Sequence, residues 1–96
     1  MRRFKMAFTR SSLARIGTAN SDAGAVWIYK SADAIGTVRA ANYFLGAVDE
    51  IKLNDILFLV TSTGGTPAVT ISYCNSNTGT AIDITDGTTI SATDSD

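Results

Sequence analysis

The sequence predicts a mainly β domain: a small antiparallel β-barrel or sandwich with one short helix and an extended N-terminal arm. Three observations lead there. Runs dense in β-branched and aromatic residues occupy 25–31, 55–62 and 68–74, with Gly, Asn, Ser and Pro turns after them. The composition is rich in Thr, Ser, Ala, Gly and Asp, which suits strands with polar, uncharged surfaces. The chain is 96 residues long, enough for one domain at most.

The elements follow in order. Residues 1–24 read as an arm, because "FTRSSLARIGTANSDAG" offers only Phe8, Leu13 and Ile16 as scattered anchors. A single helical turn around Leu13–Ile16 is the most that this spacing supports. "AVWIYKS", residues 25–31, is a strand with Trp27 and Tyr29 on one face and Val26 and Ile28 on the other. Both faces are apolar, so both are expected to be at least partly covered. In "SADAIGTVRAANYF", Ser31 or Asp33 can cap a short helix at about 33–40, with Ile35 and Val38 inward. Gly36 within that helix costs roughly 1 kcal/mol relative to Ala. Tyr43 and Phe44 follow as an aromatic pair. Leu45, Val48 and Ile51, spaced three apart, suit a helical turn or a compact loop.

"DILFLVTS", residues 55–62, is the central strand. Ile56 to Val60 leave no polar face, so burial on both sides is expected. Gly64-Gly65-Thr66-Pro67 makes a turn, and Pro67 can only begin the strand that follows. "AVTISYC" alternates: Val69, Ile71 and Tyr73 point one way, Ala68, Thr70, Ser72 and Cys74 the other. "NSNTG" is a second turn. "TAIDITD" is a third meander strand with Ile82 and Ile84 inward and Asp83 outward, and a short edge strand is expected near Ile90. The domain therefore spans 25–90, between the arm at 1–24 and a polar tail at 91–96.

Composition excludes several functions. Histidine is absent, which removes Ser–His–Asp and Cys–His catalysis, His metal sites and His pH switches. The single Cys74 permits no internal disulfide and reads as a small buried hydrophobe on a strand. No run of about 18 apolar residues exists to make a transmembrane helix. The start, MRRFKMAF, is basic without a following apolar run, so no secretory signal is expected. The net charge of −1 argues for neither nucleic acid nor a membrane, but charge is unevenly placed. Five of the eight basic residues fall within the first fifteen positions, and none follows Lys52. The C-terminal part carries only acidic charge, so head and tail have opposite signs.

No catalytic, cofactor-binding or metal-binding constellation emerges. Asp49-Glu50 before a strand reads as a solvated turn rather than a paired acid and base. Asn54-Asp55 reads as a polar corner whose side chains bond nearby backbone. Asp83, Asp86, Asp94 and Asp96 lack the spacing of a calcium loop, and Gly64-Gly65 lacks the Lys-Ser/Thr of a phosphate loop. Trp27, Tyr29, Tyr43, Phe44 and Tyr73 read as core aromatics, because the strands that carry them hold almost no Lys or Arg.

In order and spacing, "W-I-Y-K-S-A-D-A-I", "A-N-Y-F", "K-L-N-D-I-L", a "T-P" turn, "V-T-I-S-Y" and "G-T-A" resemble a family of small tailed-phage and prophage virion-associated proteins, over roughly residues 8–90. The resemblance implies a non-enzymatic virion structural protein. It points first to a capsid decoration (cement) protein on the capsid exterior, trimeric, with the major capsid protein or another virion protein as partner. A tail-fibre or baseplate component that recognises a host surface is the alternative, and a small-barrel single-stranded nucleic-acid-binding protein is a third reading. No cofactor, membrane or nucleic-acid partner is expected for the first. Within that reading the capsid contact is assigned to Arg2, Arg3, Lys5, Phe8, Arg10 and Arg15, and the subunit interface to Leu57, Leu59, Ile82, Ile84 and Ile90. The physical ground for an oligomer is the stretch Ile56–Val60, too apolar on both flanks for a chain of this size to cover alone.

Overall fold

A computed structural model of the chain describes residues 8–20 and 23–95. Six strands form one mixed sheet: β1 (Leu13–Asn20), β2 (Gly24–Lys30), β3 (Ile56–Thr61), β4 (Ala68–Asn77), β5 (Ile82–Ile84) and β6 (Thr88–Thr89). The order is β1-β2-β3-β4-β5, with β6 also paired to β4. The mainly β expectation holds, but the sheet is open and does not close into a barrel.

The pairing is not wholly antiparallel either. β2 and β3 run parallel, with Val26 opposite Ile56 and Tyr29 opposite Leu59. The reason is the segment between them. Parallel neighbours need a crossover of a dozen or more residues, whereas a hairpin reverses the chain. Residues 31–55 form that crossover. It contains the short helix α1 (Ile35–Val38) and a 3₁₀ turn at Leu45–Ala47. The helix is a single turn inside the expected 33–40. Its N-cap is Ala34, which makes no side-chain cap, while Ser31 Oγ accepts from the Asp33 amide at 2.9 Å.

The crossover lies on one face of the sheet and makes the core with it. Trp27, Tyr29, Leu57, Leu59 and Cys74 from the sheet pack with Val38, Phe44, Ala47 and Ile51 from the crossover. Ile82 and Ile84 close the same core from β5, inward as the alternation requires. Asn42, in a left-handed conformation at φ 66°, holds β5 to the crossover. Its Oδ1 accepts from the Ile82 amide at 2.9 Å, and its own amide donates to the Ile82 carbonyl at 2.7 Å. Asn77 Nδ2 donates to the carbonyls of Val48 (2.9 Å) and Ile51 (2.6 Å), which fastens the end of β4 to the end of the crossover.

The stretch read as an arm contributes to this body. Leu13 opens edge strand β1 opposite Tyr29, and it is buried. The expected helical turn at Leu13–Ile16 is instead extended; a 3₁₀ turn at Arg10–Ser12 precedes it. Local spacing missed β1 because Ala14, Arg15, Gly17 and Thr18 give a weak strand signal, and pairing to β2 supplies what propensity does not.

Candidate functional site

Three groups of residues stand out, and the first two are explained by stability. Asp55 is buried, and its carboxylate accepts from the Trp27 indole Nε1 at 3.0 Å and from the amides of Ala25 (3.1 Å) and Lys52 (2.9 Å). It is a structural knot joining the start of β2 to the end of the crossover. A buried carboxylate requires such donors. It reaches beyond the local backbone bond expected of an Asn-Asp corner.

The second group surrounds Phe8. Its ring stacks on Tyr29 with centroids 5.4 Å apart and meets Phe44 edge-on at 5.4 Å. The fit depends on Gly46, where a Cβ would lie 2.9 Å from the Phe8 ring. A hydrogen-bond chain runs beneath it. The Thr9 amide donates to the Tyr29 hydroxyl (2.9 Å), Tyr29 contacts Tyr43 (2.9 Å), and Tyr43 donates to Asp33 Oδ2 (2.6 Å). Since Tyr43 spends its one proton on Asp33, the Tyr29 hydroxyl is the donor to Tyr43. Burial, and then the bond to Asp33, pushes the Tyr43 phenol well above its ordinary range. Burial likewise raises the Cys74 thiol, which makes it a poor nucleophile. Among the described residues no three Cys, Asp or Glu side chains converge as a metal site, and no helix is long and apolar enough to cross a membrane.

The third group is the face of the sheet opposite the crossover. Alternation sends Leu57, Leu59 and Thr61 of β3 into the core, and Ile56, Phe58 and Val60 to this other face. Within the single chain, therefore, only one side of β3 is covered. Leu57 and Leu59 are fully buried, whereas Ile56 is 37% exposed and Phe58 and Val60 are half-buried. Registers across the sheet align three rows. Ile16, Val26, Ile56 and Tyr73 form one, Ala14, Ile28, Phe58, Ile71 and Thr88 the next. The third holds Lys30, Val60 and Val69, with Ile90 beside Val69 through its amide bond to the Val69 carbonyl (2.7 Å). Ile16, Ile71, Tyr73 and Ile90 are all exposed.

β4 shows an inversion. Its polar-looking side, Thr70, Ser72 and Cys74, is buried, and its apolar side faces out. The buried hydroxyls find partners: Thr70 Oγ1 meets Thr89 Oγ1 at 3.1 Å, and Ser72 Oγ donates to the Thr85 carbonyl at 2.6 Å. The segment after β4 thus satisfies its inner side, Thr89 from β6 and Thr85 from the link between β5 and β6.

The structure separates the residues assigned from sequence to contacts. Leu57, Leu59, Ile82 and Ile84 lie inside the protomer's own core, so they cannot form a subunit interface without unfolding it. Ile90 is exposed on the open face. Arg2, Arg3 and Lys5 lie outside the described residues. Phe8 is a core aromatic, Arg10 pairs with Glu50, and Arg15 is exposed on β1. The face residues Ile56, Ile71 and Tyr73 were all visible as apolar in the sequence. What alternation did not reveal was which side the crossover would cover. No family model, curated relative or solved structure matches this chain.

Proposed function

We propose that this chain is a non-enzymatic structural subunit of a phage particle, a decoration protein that attaches to the capsid exterior as an oligomer. The observation that carries the assembly half of this reading is the open sheet face. A flat subunit, 44 × 41 × 21 Å, presents contiguous Ile, Val, Phe and Tyr side chains on a side that none of its own described elements covers. Patches of this kind mark sites of association. The virion half rests on the sequence resemblance and on the basic residues gathered at positions 2, 3 and 5, which suit an acidic shell surface. Many copies on a lattice bind with avidity, so each contact can be weak.

The other readings lack their distinguishing feature. A host-recognition module would carry exposed aromatics on a distal loop, whereas among the described residues the exposed ring, Tyr73, lies within β4. A single-strand-binding barrel needs a basic groove beside its aromatics, and Lys30 is the one cation in the rows that cross the open face.

The test is co-sedimentation with empty shells of the tailed phage or prophage that encodes the chain, at low and high salt. The full chain is expected to pellet with shells, and a chain lacking residues 1–7 to remain in the supernatant while keeping its fold. The truncation stops there because Phe8 and Leu13 belong to the core. A full chain that ignores shells at low salt would refute the capsid reading.

A further inference from the structure

We propose that the open sheet face is a self-association surface whose occupant is a second copy of this chain, packed face to face about a two-fold axis near Phe58 and Ile71. This names the partner of the surface on which the assembly reading rests; attachment to a shell is not needed for it.

Three properties of the face select a second copy. The first is charge. Across the three rows the side chains are Ile16, Val26, Ile56 and Tyr73; Ala14, Ile28, Phe58, Ile71 and the uncharged Thr88; Val60, Val69 and Ile90, with Lys30 at one corner. No carboxylate stands among them. A charged partner would find nothing to pair with at the centre, whereas an identical face brings no like charges together there. Lys30 stays at the rim, at opposite ends of the two copies.

The second is shape. Phe58 and Ile71 are directly paired across β3 and β4 and sit in the middle row. A side-chain lattice of this kind interdigitates with another sheet at about 10 Å, the strand directions crossing by about 30°. A two-fold arrangement uses the same patch on both copies, as a single uncovered face requires. A three-fold ring, the count that the resemblance implies, would need two different complementary patches on each chain.

The third is area. The exposed and half-exposed apolar side chains on this face present on the order of 500 Å², the upper range of what ordinary monomers leave bare. Two copies therefore bury on the order of 1,000 Å² from apolar groups alone. With a polar rim that reaches the range of about 1,200–2,000 Å² typical of stable pairs. Phe8 packs on the opposite, covered side against Tyr29, Phe44 and Gly46.

The experiment is sedimentation equilibrium of the full chain without shells, from about 1 to about 100 µM. Three variants accompany it: Ile71→Lys and Ile56→Thr on the face, and Thr63→Lys on an exposed turn as control. Emission of the buried Trp27 indole reports whether each variant is folded. The full chain and Thr63→Lys are expected to sediment at about twice the 10.1 kDa chain mass. Ile71→Lys is expected to weaken pairing by at least about 30-fold, as loss of a central anchor does, and Ile56→Thr by less. If Ile71→Lys fails to fold, Ile56→Thr decides, since Thr suits a strand. A monomer at every concentration overturns the proposal, and so does a pair or trimer that persists in the folded face variants. A monomer that pairs only when residues 1–7 are removed overturns it too, by giving the face to that segment. Loss of shell binding with pairing intact would strike the capsid reading alone.

Discussion

At the scale of single residues, buried Asp55 and half-buried Tyr43 carry most of the testable chemistry. Asp55 receives the Trp27 indole and two backbone amides from segments far apart in the chain. Asp55→Ala leaves these donors without an acceptor in the interior. A loss of about 3 kcal/mol is expected, read as a lower urea midpoint with unchanged slope. Tyr43 gives the pH dependence. Its phenol is held protonated in the folded chain, by burial first and by its bond to Asp33 second, against an ordinary value of 10.0. Above about pH 10 the unfolded chain releases this proton while the folded chain keeps it, so stability present below that pH falls as pH rises. The urea midpoint of the native chain is expected to drop between about pH 10 and pH 12, and Tyr43→Phe to flatten that drop. An equal drop in Tyr43→Phe would assign it to other groups. The sequence marked Asn54-Asp55 as a polar corner, yet nothing local showed that the carboxylate meets an indole 28 positions away.

At the scale of elements, β6 depends on one backbone conformation. Gly87 has φ +78°, and a Cβ there would stand 2.5 Å from the Ile71 carbonyl oxygen and 2.9 Å from Thr70 Cγ2. Gly79 has φ +90° with no neighbour within 4 Å. Gly79→Ala is expected to cost about 1 kcal/mol of backbone strain, and Gly87→Ala about 2–3 kcal/mol because a clash is added. Hydrogen exchange at the Ile90 amide, which bonds the Val69 carbonyl, distinguishes them by quickening only in Gly87→Ala. The strands centred on 25–31, 55–62, 68–74, 82–84 and the short edge near Ile90 were legible because β-branched density and alternation are local properties. β1 was not, since Ala14, Arg15 and Gly17 form a strand only by virtue of the partner beside them. The parallel pairing of β2 and β3 was equally hidden: it follows from the crossover's length and fold, which no strand-length window contains.

At the scale of the whole molecule, the described residues build two layers, a sheet and the crossover packed on it. The crossover covers one side of the sheet, and the described chain supplies no element for the other. A chain of this length buries only about 60–65% of its unfolded surface, so leaving a sheet face bare sacrifices a large share of its possible stabilisation. The pairing proposed above would recover it, and a melting temperature that rises with protein concentration is its thermodynamic signature. A concentration-independent melting temperature in that range would count against it. The same scale explains the misplaced interface residues: Leu57, Leu59, Ile82 and Ile84 are the most apolar choices, and apolarity alone favours the inside of the protomer as readily as its contacts.

By itself the sequence determined the strand-rich class, the turn at 64–67, the lack of histidine chemistry, and which side chains of each strand share a face; the turn read at 75–79 begins later, since β4 runs on to Asn77. These follow from composition and from the two-residue period of an extended chain. Only the tertiary structure decided which of the two faces became the core. Trp27, Tyr29, Leu57 and Leu59 were claimed by the crossover, which drew Thr70, Ser72 and Cys74 inward with them, because strands locked in register must all turn the same way. That choice left Ile56, Ile71 and Tyr73 outside, on the face proposed above to pair with a second copy.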